Sequence, residues 1–96
     1  MAYQLPPSVE AEIVKYAKAR GIGQVVLFGS RARGDNGPRS DVDLAVCGGE
    51  VLDFHEDLEE RAWTLLSFDV VDMGRPISEA LKKEIQRDGV VLYEKA

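Results

Sequence analysis

Apolar positions along this chain alternate between two spacings, and each change of spacing marks a change of element. Val9, Ile13, Tyr16 and Ala17 recur at helical intervals behind Pro6-Pro7-Ser8, which predicts a helix with Ser8 as N-cap and Gly21 as its stop. A short apolar run from Gln24 to Phe28 reads as the first strand. Ser30 to Arg33 reads as one helical turn leaving that strand, and Asp35-Asn36-Gly37-Pro38, dense in turn formers, as a surface loop. The run from Asp41 to Cys47 alternates as a strand does, with Val42, Leu44 and Val46 on its apolar face, and Gly48-Gly49 ends it. Between Val51 and Leu66 the stripe Val51, Phe54, Leu58, Ala62, Leu65 predicts an amphipathic helix, with Glu56, Asp57, Glu59 and Glu60 mostly on its outer side. Trp63 flanks the stripe and is expected to pack in the core, a partner-contact anchor being the minority reading. Phe68 to Met73 forms a third strand. Pro76-Ile77-Ser78 opens a helix carrying Leu81 and Ile85, Gly89 closes it, and Val90 to Tyr93 reads as a last strand.

Helices interleaved with short strands predict an α/β or α+β fold: a small mixed β-sheet of about four strands with helices packed on it. The loop between the first two strands is too short for a parallel crossover through a full helix, so those two are expected to be antiparallel. With 96 residues and 45% hydrophobic content, residues 1–96 are expected to form one small domain with a single core. A formal net charge of −5 argues against a long contact with a nucleic-acid backbone and for a basic or mixed protein partner. Cys47 is the only cysteine, which excludes an internal disulfide and a cysteine zinc site. No leader-like segment or apolar run of membrane-spanning length is apparent, so the cytoplasm is the expected location, with no membrane contact.

The chemistry concentrates at Gly29-Ser30, followed after ten residues by Asp41-Val42-Asp43. A Gly-Ser pair after a strand is usually only a turn. Here it stands a fixed distance ahead of two carboxylates that alternation places on one side of a strand, a pattern suited to a metal-bound nucleoside triphosphate. Glycine lets the backbone approach a phosphate closely, exposed N–H groups bind its oxygens, and the Ser30 hydroxyl adds a donor. Asp41 and Asp43 repel each other unless a cation sits between them. Arg31 and Arg33, read as half-exposed on the short helical turn, are candidates for a phosphate contact, Arg33 being the one carried into the candidate site. Asp69 is the choice for a third carboxylate, because it interrupts an apolar strand where an unpaired charge is costly to bury and a metal would offset that cost. Asp72, three residues on, points to the opposite face and suits a cap or loop role. Three carboxylates facing a triphosphate call for two magnesium ions. His55 lacks a second histidine or a cysteine and is expected to be a solvated surface residue. No Walker-type Gly-Lys-Ser/Thr loop is present.

The run Gly29-Ser30-Arg31-Ala32-Arg33-Gly34 through Ser40-Asp41-Val42-Asp43-Leu44 closely resembles the signature of the polymerase-beta-like nucleotidyltransferases. Among these it is most similar to the minimal nucleotidyltransferase (MNT) family, whose members pair with HEPN-domain proteins in prokaryotes, and the likeness extends more loosely from about Val9 to Tyr93. The resemblance implies the nucleotidyltransferase fold, ATP as substrate, Asp69 as the third acid, and transfer of AMP to a hydroxyl, a tyrosine's, on a partner HEPN-family toxin. This chain would then be the antitoxin. A rival reading is a non-catalytic antitoxin or binding module that neutralises its partner by covering the partner's active cleft. Transfer to a small molecule such as an aminoglycoside fits less well, since the chain has no domain to hold that acceptor.

Overall fold

A computed structural model of the chain describes residues 3–96. Its elements in order are α1 (Pro7–Ala19), β1 (Gln24–Phe28), α2 (Ser30–Arg33), β2 (Val42–Cys47), α3 (Val51–Arg61), β3 (Phe68–Asp72), α4 (Glu79–Asp88) and β4 (Val90–Glu94). The four strands lie in the order β3-β2-β1-β4. β1 runs antiparallel to β2 and to β4, while β2 and β3 are parallel, so the sheet is mixed as the loop lengths predict.

Alternation along the strands sorts side chains to two faces. Val25, Leu27, Val42, Leu44, Val46 and Phe68 meet Val9, Ile13 and Ala17 of α1 and Phe54 and Leu58 of α3, and this is the main core. The opposite face carries Phe28 and Ala45 under Ile85 of α4, with Val26, Val71, Ile77 and Leu81 around them. Asp43 and Asp69 have the same parity as Ala45 and Val71, which puts the acids on the α4 face.

Local signals set several boundaries differently from expectation. α1 starts at Pro7, and Pro6 occupies the N-cap without a side-chain bond, so Ser8 lies inside the first turn. Proline suits that start because its missing N–H would be unpaired there anyway. α3 stops at Arg61 rather than running to Leu66, with Ala62 already extended at φ −68°, ψ 135°. The cause is distance. Parallel β3 must begin level with the start of β2, and a helix of eleven residues covers about 16 Å, nearly the length of β2 at about 20 Å. Continued to Leu66, the helix would reach about 24 Å and overshoot. Leu65 and Trp63, expected on and beside the apolar stripe, are instead 105% and 91% exposed. Asp57, expected on the outer side of α3, is buried and receives Arg20 Nε at 2.8 Å and Nη2 at 3.2 Å. That guanidinium holds the Asp57 carboxyl below its ordinary range.

Arg31 is also buried, contrary to its expected half-exposure. Its guanidinium donates to Ser40 O at 2.9 Å, Pro38 O at 3.2 Å and Gln4 O at 3.2 Å. It thereby fastens the loop between α2 and β2 and ties the segment ahead of α1 to both. Arg31→Met leaves those carbonyls without a donor beside a methylene stem of similar bulk. Urea denaturation is expected to show a loss of roughly 2–4 kcal/mol, the cost of orphaning several buried acceptors of a charged donor.

Candidate active site

Gly29 ends β1 with φ +76°, a conformation that favours glycine, and it is buried. A Cβ at this position would collide with the Asp43 carboxylate. The backbone of the Gly29 turn and the Asp43 side chain thus share one small volume, and only glycine permits that approach. α2 follows at once, with Ala32 and Arg33 N–H donating to Gly29 O at 3.1 and 3.2 Å. The amides of Ser30 and Arg31, first in the helix, find no backbone acceptor among the described residues. Such leading amides are free to face an anion.

Strand register assembles the acids. Phe28 pairs with Asp43 across β1 and β2, and Asp43 pairs with Asp69 across β2 and β3. Adjacent strands lie about 4.8 Å apart, so the Gly29 turn, Asp43 and Asp69 stand side by side. Asp41 immediately precedes β2 and is exposed. Burial is the largest cause raising the Asp43 pKa to about 6, followed by the charges of Asp69, Asp41 and Glu84, with Arg33 pulling the other way. Asp69 itself is exposed. The expected desolvation cost at Asp69 therefore does not arise: β3 is an edge strand, and α4 packs chiefly on β1. Its link to the site is its position beside Asp43.

Among the described residues no group of three or more His, Cys, Asp and Glu side chains is arranged to hold a metal ion as it stands. The donors present nevertheless suit a hard divalent cation, since carboxylate oxygens are its preferred ligands.

Arg33 donates from Nη1 to Asp88 at 2.9 Å and from Nε to Asp35 at 3.0 Å. Asp88, also bound by Arg87, is held down at about 2 chiefly by that Arg87 bond, with Arg33 adding to it. The candidate phosphate ligand is thus engaged with two carboxylates while its charge still reaches Asp43. Glu84 and Asp88 were missed by the sequence reading. Their signal was available: Leu81, Glu84, Ile85 and Asp88 fall at i, i+3, i+4 and i+7, a single helix face. Asp72 caps a turn as expected, accepting from Gly74 N at 2.8 Å. His55 is not simply solvated, because its Nε2 donates to Phe68 O at 3.0 Å and so ties α3 to β3 one residue before Asp69. Among the described residues no helix is long and apolar enough to cross a membrane.

The family model "Polymerase beta, Nucleotidyltransferase" matches residues 11–96. Among solved structures, a toxin–antitoxin with AMP-PNP has a TM-score of 0.72 at 23% identity, covering 90% of this chain and 73% of that one. A mutant of the toxin–antitoxin MntA-HpeT gives 0.69 at 25% identity, with the same 90% and 73% covered. A structure from Shewanella oneidensis gives 0.68 at 15% identity, covering 95% and 74%. None of the curated proteins matches.

The raised Asp43 pKa has a signed consequence for stability. Folded Asp43 holds its proton up to about pH 6, whereas an unfolded Asp releases it near 4. Between those values the folded state binds more protons, so stability falls as pH rises from about 4 to about 6 and then levels. For a half-exposed group, solvent screening reduces the effect to roughly 1–2 kcal/mol. Asp43→Asn is expected to flatten that slope in thermal melts and to raise the melting temperature at pH 7.5 by about 5 °C.

Proposed function

We propose that this chain, which belongs to the polymerase beta nucleotidyltransferase family, is a single minimal domain that transfers AMP from ATP to a tyrosine hydroxyl of a HEPN-family toxin, for which it is the cytoplasmic antitoxin. The observation that carries the reading is the convergence of the Gly29 turn, Asp43 and Asp69 across three neighbouring strands, with Asp41 two residues away. That similar structures include toxin–antitoxin proteins, one of them with AMP-PNP, supports the partner and the nucleotide.

In this reading the amides of Ser30 and Arg31 and the Ser30 hydroxyl take the triphosphate oxygens, and Arg33 sets the charge at the cradle's edge. Asp41, Asp43 and Asp69 would hold magnesium, two ions with the triphosphate, which neutralises the crowded charge and lowers the pKa of the acceptor hydroxyl. The acceptor oxygen forms a bond to the α-phosphorus as the bond from that phosphorus to the bridging oxygen of the β-phosphate breaks. Pyrophosphate leaves, and the hydroxyl proton passes to a carboxylate, for which exposed Asp69 is the accessible choice. The product is the partner's tyrosine joined to AMP.

The test is incubation with α-labelled ATP, magnesium and the protein of the adjacent gene. Label is expected on that protein, falling at least 100-fold with the Asp41→Asn, Asp43→Asn variant and vanishing with chelator. Equal labelling by the variant overturns the reading, and toxin suppression that survives the variant supports steric masking instead. Magnesium affinity, followed by calorimetry, is expected to weaken by roughly tenfold per pH unit below pH 6, as the Asp43 proton competes with the ion.

A further inference from the structure

Arg33 is held by two carboxylates of different kinds. Asp88, 55 residues along the chain, has a nearly buried side chain, 7% exposed, and receives Arg33 Nη1 at 2.9 Å. Asp35, two residues from Arg33, is 61% exposed and receives Nε at 3.0 Å. An exposed ion pair between close neighbours adds little and is readily given up to a better acceptor. A nearly buried pair is costly to part, because its charges are kept from water. Arg87 also grips Asp88, through Nε at 3.0 Å and Nη2 at 2.9 Å. Two guanidiniums thus share the single negative charge of Asp88, and positive charge is left over at Arg33, where Asp43 feels it.

The Asp88 end of this arrangement is fixed by packing that does not depend on its ion pairs. Asp88 is the last residue of α4, and Gly89 after it lies so close to β1 that a Cβ there would come within 2.8 Å of Val26 Cγ1. Ile85, one turn back, packs with Phe28 and Ala45, which flank the Gly29 turn and the acid strand. Arg33 stands one helical turn after Gly29, its N–H bonded to Gly29 O at 3.2 Å, and helical side chains lean toward the amino-terminal end. Its Nε and Nη1 are engaged, whereas Nη2 finds no acceptor among the described residues. Both hydrogens of Nη2 remain for a ligand.

We propose that Asp88 is a positioning residue: it holds Arg33 at the edge of the cradle so that Nη2 donates to the outer phosphates of the nucleotide, whose oxygens also displace exposed Asp35 from Nε. This rests on the reading of the Gly29 turn as a triphosphate cradle and assigns the residue that aims its arginine.

The test compares the affinity for AMP-PNP with that for AMP, which lacks the outer phosphates, by calorimetry in magnesium. Asp88→Asn keeps the side chain's size and removes its charge, and is expected to weaken AMP-PNP about tenfold and AMP by less than about twofold. Arg33→Gln is expected to do the same, and the double variant to bind no more weakly than Arg33→Gln alone, because Asp88 acts through Arg33. Asp35→Asn is expected to bind AMP-PNP as tightly as wild type or more tightly. In wild-type protein carrying nitrogen-labelled arginine, the Arg33 Nε–H resonance, identified by its loss in Arg33→Gln, is expected to move with AMP-PNP and to stay in place with AMP. That last measurement decides the matter even if Asp88→Asn does not fold. An unmoved resonance at saturating AMP-PNP overturns the proposal, as do equal losses for the two nucleotides, additive losses in the double variant, or an Asp35→Asn loss as large as that of Asp88→Asn. Wild-type protein that shows the expected pattern yet labels no partner loses the transferase reading and keeps this role for Asp88. Label transfer with AMP-PNP affinity unchanged in Asp88→Asn keeps the transferase reading and overturns the proposal.

Discussion

A buried guanidinium sets the distance on which the candidate chemistry depends. The loop from Gly34 to Asp41 contains glycine, proline and polar residues and has no apolar side chain to pack, so its course must be fixed from outside. Arg31 does this by reaching out of α2 to the carbonyls of Pro38 and Ser40. Because Arg31 lies two residues after Gly29 and Ser40 immediately precedes Asp41, the same bonds hold the Gly29 turn and the acid strand at constant separation. An arginine suits this role because its rigid fork can serve three carbonyls at once.

Onto that frame the sheet places like charges close together. Burial above all, then the charge of Asp69 brought alongside by register and that of Glu84 from α4, raises the Asp43 pKa to about 6. The opposing charge is Arg33, itself held by Asp35 and Asp88. The fold therefore keeps a concentration of negative charge that packing alone does not require, on the face that its helices cover least completely. α1 and α3 seal the other face with Ile13, Phe54 and Leu58, and the deep core there supplies the stability against which this repulsion is set.

What could be read from the sequence was what neighbouring residues decide among themselves. The bounds of β1, the turn of α2 and the Ser78 start of α4 follow from local spacing and capping chemistry, and the structure has them where expected. The Gly29–Asp43 approach was legible too, because one motif contains both sides of it. Distant partners decided the rest. Asp57 is buried because Arg20, 37 residues away, neutralises it. Asp69 is exposed because the strand order puts β3 at an edge, and Glu84 joins the acids because α4 packs on their face. The early end of α3, with Trp63 and Leu65 left outside, follows from the length of β2.

The hydrogen bonds that hold Gln4 bear on how the chain can be joined to other molecules. Gln4 N donates to Arg31 O at 2.8 Å and Gln4 O receives Arg31 Nη1 at 3.2 Å, so the segment just ahead of α1 is moored to α2. Lys95 N, in contrast, donates to Gly23 O at 2.8 Å, at the end of β1 remote from Gly29. A domain joined ahead of Gln4 starts from beside α2 and the Gly29 turn, whereas one joined after Lys95 starts from the opposite end of β1. The polarity of a fusion, and not only its bulk, sets how near the added domain lies to the Gly29 turn.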